Sequence, residues 1–231
     1  MTKTILITGA NRGIGLELTR QYAEAGWRVY ACCRHPGKGI ELNDLTKEYD
    51  QISIHKLDVT DHAQIQGLVQ KLKNEPIDIL FNNAGVYGPS DARFGNTDVD
   101  QWLDCLRINS IAPMKMMEAF ASNVAQSQTK LIASMSSKMG SMADNGSGGS
   151  YVYRSSKAAL NAVMKSASID LAPQGIKVAI LHPGWVLTDM GGPNAEITVQ
   201  ESARNLREIL EGVSMENSGS FFDIDGSVIP W

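Results

Sequence analysis

The chain has 231 residues, 43% hydrophobic and 20% charged, an ordinary globular composition that fits one large α/β domain better than two small ones. A net charge of −4 leaves no basic excess to neutralise phosphates, which argues against a general nucleic-acid binder and against a cationic membrane-surface patch. Cys32, Cys33 and Cys105 are odd in number and partly adjacent, the four histidines are not at ligand spacing from them, and no run of about 18 apolar residues occurs; neither disulfides, a metal site nor a membrane span is expected.

Lys3–Thr8 (KTILIT) is short, apolar and β-branched, as suits a strand buried on both faces of a parallel sheet. It follows the first residues without the apolar core of a signal peptide, so a soluble cytoplasmic protein is expected. The strand breaks into Gly9-Ala10-Asn11-Arg12-Gly13-Ile14-Gly15, and Leu16–Ala25 then reads as a helix stopped by Gly26. Strand, glycine-rich turn and helix in that order form the first half of a βαβ unit. The glycines permit a tight turn and close backbone approach to a pyrophosphate, for which the helix amides supply donors and a positive dipole. The G-x-x-x-G-x-G spacing departs from the generic dinucleotide fingerprint. A phosphate site along Gly9, Asn11, Arg12, Gly13 and Ile14 is expected, against the alternative of a merely structural turn.

Arg28–Cys33 is the second strand, and Arg34 follows it where an acid would bond the 2′-hydroxyl of NAD. Arg12 adds a second guanidinium on the same side, and two such groups suit a phosphate dianion. NADP(H) is therefore preferred over NAD, although Arg34 can also cap or pair with the nearby helix. Gly39–Tyr49 reads as a short polar helix. The third strand, Ile52–Leu57, runs into Asp58-Val59-Thr60-Asp61, where Thr60 or Asp61 can cap a helix through Lys73 and Asp58 can belong to the same cap. Ile77–Phe81 is the fourth strand, and Asn82-Asn83-Ala84-Gly85 at its end are small enough to let a ligand approach the backbone.

Asp98–Gln126 reads as a long helix containing Asn109 and Pro113. Two readings of Asn109 are open. It is an ordinary solvated residue, or Pro113 kinks the helix and frees the Asn109 carbonyl for a water. Lys130–Ser136 is the fifth strand, followed by Ser137-Lys138-Met139-Gly140 and a Gly/Ser-rich stretch, Ser141–Ser150, expected to be a mobile loop. A helix over Tyr151–Leu171 ends at Gln174-Gly175. Ile176–Leu181 is the sixth strand, ending in His182-Pro183-Gly184. Trp185–Ile197 is loop-like, Thr198–Gly212 is an amphipathic helix, and Gly219–Ile224 is a last strand. The unbroken βαβα alternation predicts a single doubly wound Rossmann-type α/β domain over residues 1–231, with a parallel sheet of about seven strands and helices on both faces.

Tyr153 and Lys157 stand four residues apart in the helix after the loop, hence one turn apart on one face. On its own the pair is a solvated helix face. Inside a site, an ammonium would bring a phenol down from its ordinary pKa of about 10 and ready it to exchange a proton with a carbonyl or alcohol oxygen.

TGANRGIG at Thr8–Gly15, NNAG at Asn82–Gly85, SSKMG at Ser136–Gly140, Tyr153 with Lys157, and HPGWVLT at His182–Thr188 resemble, in order and spacing, the short-chain dehydrogenase/reductase family. The HPGWVLTDMGG run and the DIDGSVIPW tail are similar to sniffer-type carbonyl reductases and bacterial C-factor-like proteins. The resemblance implies Tyr153 as proton donor and acceptor, Lys157 lowering its pKa and bonding the nicotinamide ribose, and Ser137, preferred to Ser136 by its spacing from Gly140, holding the substrate oxygen. Asn109 would hold a water in a proton relay with Lys157. Asp58 and Val59 would meet the adenine, Asn83, Ala84 and Gly85 would line the cofactor cleft, and Pro183, Gly184, Val186 and Thr188 would position the nicotinamide.

Two departures are notable: a longer, glycine-rich stretch between Ser137 and Tyr153, and a short segment after Thr188 that leaves the substrate mouth open. Tyr87, Met139, Met142, Trp185 and Met190 can wall an apolar pocket there or serve as ordinary packing. The implied activity is NADPH-dependent reduction of a small-molecule aldehyde or ketone. The alternative is a dinucleotide-binding signalling or regulatory protein of C-factor type with little turnover. The resemblance also implies a homodimer through the helices at 98–126 and 151–171, and a monomer is compatible with the same residues.

Overall fold

In the computed structural model, which describes residues 2–231, the first apolar run becomes β1 (Thr4–Thr8), buried along its whole length. It lies between β2 (Arg28–Cys33) and β4 (Ile79–Asn82), both parallel to it. β3 (Ile52–Lys56) pairs with β2, and β5 (Leu131–Met135), β6 (Lys177–Leu181) and β7 (Phe221–Phe222) continue from β4. The sheet order is β3-β2-β1-β4-β5-β6-β7. Central strands are covered on both faces and so read as continuous apolar runs. Edge strand β3 is only partly covered, with Ser53 and Lys56 exposed.

The two-residue period of a strand divides the apolar side chains between two layers. Ile5, Ile7, Phe81, Ala133 and Leu181 meet α1 (Gly13–Glu24), α2 (Ile40–Glu48) and α7 (Val199–Glu211) on one face. Leu6, Leu80, Ile132, Val178 and Ile180 meet α3 (His62–Lys71), α5 (Ala112–Ala125) and α6 (Tyr151–Asp170) on the other. The strand order reverses between β1 and β4. In open α/β sheets a ligand crevice opens beyond the carboxyl ends of the strands at that point.

Several expected elements are trimmed or broken for identifiable reasons. Asp61 caps α3, its carboxylate accepting from the amides of Ala63 and Gln64 at 2.9 and 3.1 Å, and the helix stops at Lys71 instead of Lys73. β7 keeps only two residues because Asp223 turns the chain back, its amide donating to the Ser227 carbonyl at 2.8 Å. The long helix divides into α4 (Val99–Leu106), a π-helical turn at Arg107–Ile111, and α5. Pro113 lacks the N–H that an α-helix would offer the Asn109 carbonyl, and the chain widens there. Asn109 is thereby buried to 1% exposure, which removes the reading of it as a solvated residue.

The stretch expected to be a mobile loop is tied at both ends. The Ser141 hydroxyl donates to the Pro230 carbonyl, and the amides of Met142 and Ala143 donate to a Trp231 oxygen. Arg154 donates to the Ser147 hydroxyl at 2.9 Å. Among the described residues, no helix is long and apolar enough to cross a membrane.

Candidate active site

The glycine turn is held from both sides. The Thr8 hydroxyl at the end of β1 accepts from the amides of Asn83 and Ala84, each at 3.0 Å. The Asn83 side chain donates to the Thr8 and Gly9 carbonyls at 2.9 and 3.1 Å. Gly9 adopts φ +67°, and a Cβ there would lie 3.0 Å from Ala84 Cα; one at Gly15 would run into the Gly9 carbonyl. α1 then begins at Gly13 with no capping side chain, leaving its first-turn amides to a ligand. This cradle, closed to a Cβ at Gly9 and Gly15 and rich in unengaged donors, fits a pyrophosphate. Asn11 and Ile14 are half-buried along it. The sequence reading includes Thr8 in TGANRGIG but gives its hydroxyl no role, because both of its partners lie some 75 residues on.

Arg34 is exposed just beyond β2 and makes no ion pair among the described residues. Arg12 is engaged: its guanidinium meets the Asp189 carboxylate at 2.8 Å, both side chains being largely exposed. That pair straps the loop after β6 to the glycine turn across 177 residues of chain, so no local pattern announces it. Asp58 does not cap α3. One carboxylate oxygen accepts from the Thr60 amide and hydroxyl at 2.9 and 2.7 Å, which fixes the turn beside buried Val59. Thr188 stands against Gly13, where a Cβ would meet its methyl group at 3.5 Å. Val186 is buried and bridges to Ile197, Gly184 has φ +80°, and the Pro183 carbonyl accepts from Ser202 at 2.8 Å.

The four side chains assigned to chemistry are brought together beyond β4 and β5, and all are at least 90% buried. Lys157 Nζ donates to the Met135 carbonyl at 2.8 Å. The Asn109 side chain clamps Val86 through both backbone groups, at 2.9 and 2.8 Å, and donates to Ser156 at 2.9 Å. A Cβ on Gly85 would lie 3.2 Å from Asn109 Oδ1 and 3.6 Å from Lys157 Nζ, so this glycine keeps the space between them open. Ser136 and Ser137 part company. Ser136 donates to Asn161 at 2.6 Å within the protein, while Ser137 accepts from the Met139 amide at 3.2 Å and lies beside the Tyr153 hydroxyl.

The expected electrostatics are corrected. Burial pushes the Tyr153 phenol up to about 12; Ser137 pulls it down, and neighbouring Tyr87 pushes it further up. Burial holds the Lys157 ammonium down at about 8, against a smaller upward pull from Cys105. Both groups are so far removed from water that desolvation sets the direction of each shift. Lys157 keeps its positive charge near neutral pH and stays available to a ribose or a developing phenolate.

Of the residues considered for a pocket wall, Tyr87 stacks on Tyr153, Met139 is half-buried, and Met142, Trp185 and Met190 are 74%, 48% and 50% exposed.

Comparison with known proteins gives the family and the fold. A family model described as short chain dehydrogenase matches residues 3–197. The C-signal protein of Myxococcus xanthus is 42% identical over 156 residues, covering 68% of this chain and 93% of its own. The carbonyl reductase Sniffer of D. melanogaster superposes with a TM-score of 0.93 at 34% identity, covering 100% of both chains. An NADPH-bound carbonyl reductase from chicken fatty liver superposes with a TM-score of 0.92 at 32% identity, covering 100% of this chain and 99% of its own.

Proposed function

The chain belongs to the short-chain dehydrogenase family, and on that premise we propose that it is an NADPH-dependent oxidoreductase reducing an aldehyde or ketone to an alcohol. The observation that carries the reading is the joint burial of Ser137, Tyr153, Lys157 and Asn109 at one end of the crevice whose other end is the glycine cradle. A protein that only binds a nucleotide needs the cradle but has no use for a buried phenol and ammonium. The Sniffer and chicken carbonyl reductases, the latter NADPH-bound, support the same choice.

In this reading the first-turn amides of α1 and the Gly9–Gly15 backbone hold the pyrophosphate, Arg12 and Arg34 hold a 2′-phosphate, and Asp58 and Val59 flank the adenine. Asn83, Ala84 and Gly85 line the cleft, and Pro183, Gly184, Val186 and Thr188 position the nicotinamide. The bound dinucleotide supplies a hydride. Ser137 donates a hydrogen bond to the substrate oxygen, and Tyr153, protonated across the neutral range, gives that oxygen its proton. The Lys157 ammonium stabilises the phenolate left behind and bonds the nicotinamide ribose. Asn109 holds Val86 and the backbone about it, and its own carbonyl, without an α-helical partner, holds a water that returns the proton through Lys157.

Replacing Tyr153 with Phe removes the acid and leaves the cradle intact. Turnover on a panel of aldehydes, ketones and quinones should fall by about 10²–10⁴-fold with NADPH affinity unchanged. Undiminished reduction by Tyr153→Phe sinks the mechanism. The similarity to the C-signal protein favours a second reading, a dinucleotide-binding signalling protein. NADPH binding by the wild type without turnover on any carbonyl of the panel would select it.

A further inference from the structure

Tyr87 has no part in the chemistry described above, yet two elements converge on it. Its ring stacks on that of Tyr153, with centroids 4.6 Å apart and planes 29° from parallel. Its hydroxyl is bonded to the Ser150 hydroxyl at 3.0 Å. Its backbone follows Val86, whose N–H and C=O are both held by Asn109. The ring is therefore fixed at its root through the π-helical turn and at its tip through the start of α6.

Ser150 carries the cost of that tip contact. It is the N-cap residue of α6, a position where serine normally accepts from a first-turn amide, but here its side chain caps nothing. Its backbone is left-handed, with φ +47° and ψ +40°, and Gly148 and Gly149 before it have φ +65° and +67°. A residue with a Cβ rarely adopts this conformation, and such strain persists where the surroundings over-determine it. Lost cap and strained backbone coincide with one gain, the bond to Tyr87, three residues before Tyr153.

We propose that Tyr87, anchored through Ser150, is a positioning residue for Tyr153: its ring fixes the plane of the Tyr153 phenol and shields one face of it from water. The proposal rests on Tyr153 being the acid of the site and assigns the aromatic side chain after NNAGV to the catalytic arrangement. Direct contact with the reacting atoms is not required of it. Two groups of residues distant in sequence, the strand-end loop at Val86–Tyr87 and the glycine-rich entry to α6, then act as one clamp. The lengthened stretch before Tyr153 acquires a purpose, because it delivers Ser150 to Tyr87.

The test separates ring from anchor. Ionisation of Tyr153 is read as the ultraviolet tyrosinate difference between each protein and its Tyr153→Phe counterpart, a signal that does not depend on turnover. Tyr87→Ala and the better-filling Tyr87→Leu admit water to the phenol. Its ionisation should move down toward the ordinary value of about 10. Tyr87→Phe keeps the shield and should leave that ionisation where it is. Both Tyr87→Phe and Ser150→Ala cut the anchor and should lower kcat about two- to tenfold without changing NADPH affinity, the double variant falling no further than either alone. Unchanged Tyr153 ionisation in both Tyr87→Ala and Tyr87→Leu, or additive losses in the double variant, overturn the proposal. Failure of the underlying reading appears elsewhere, as full turnover in Tyr153→Phe.

Discussion

Lys157→Met isolates the cost of burying an ammonium at the floor of the site. Burial holds this group at about 8 in the folded chain, against 10.5 when exposed. At about 1.36 kcal/mol per pH unit, the gap corresponds to roughly 3 kcal/mol of destabilisation while the group stays protonated in both states. Below pH 8 the folded protein carries that whole cost. Between pH 8 and 10.5 the unfolded chain binds more protons than the folded one, so stability rises with pH. From about pH 7 to about pH 9.5 the gain is about 2 kcal/mol. The Met variant lacks it, although it also loses the donor to the Met135 carbonyl, a pH-independent cost of about 1–3 kcal/mol. Urea unfolding of both proteins at the two pH values gives the comparison, and their difference cancels other titrating groups. A wild-type-minus-variant difference that is the same at both pH values, or that moves the other way, refutes the reasoning.

Asp189→Asn frees Arg12 from its exposed partner. NADPH affinity should rise by no more than about fivefold, the effect should fade at high salt, and NADH affinity should stay level, as titration by fluorescence reads directly. Arg34→Ala should weaken NADPH binding by about 10- to 100-fold with NADH unaffected; equal losses for the two cofactors would remove the 2′-phosphate from its role. Val99, Leu103, Ile111 and Met114 are exposed along α4, the π-helical turn and α5, the face through which a homodimer would form. Light scattering should give twice the chain mass, and Leu103→Glu should return the protein to the monomer; a monomeric wild type removes that assembly.

Much of the site was legible because its chemistry is local. Gly9, Gly13 and Gly15 mark a turn that tolerates no Cβ, and Tyr153 and Lys157 are one helix turn apart whatever the rest of the chain does. The break at Asn109 was foreshadowed by Pro113, because a missing N–H is a property of one residue. The sign of the Tyr153 shift was not legible. It depends on how deeply α6 is buried against β5 and the loop at Tyr87, and the reading from spacing alone put the attraction of Lys157 ahead of desolvation. The ties at the start of Ser141–Ser150 were equally illegible, since the partners of Ser141, Pro230 and Trp231, lie some ninety residues on.

By itself the order of apolar runs and glycine turns determined the seven-stranded parallel architecture, the strand ends that face the crevice, and the residue types gathered there, because period, turn conformation and side-chain chemistry are written in short windows. Only the tertiary structure decided which of those groups are dry, which are already engaged, and which hold others in place. Ser136 spends its hydroxyl on Asn161, Arg12 on Asp189, and Ser150 on Tyr87. Desolvation and long-range hydrogen bonding are properties of three-dimensional neighbours, and the linear chain carries no local sign of them.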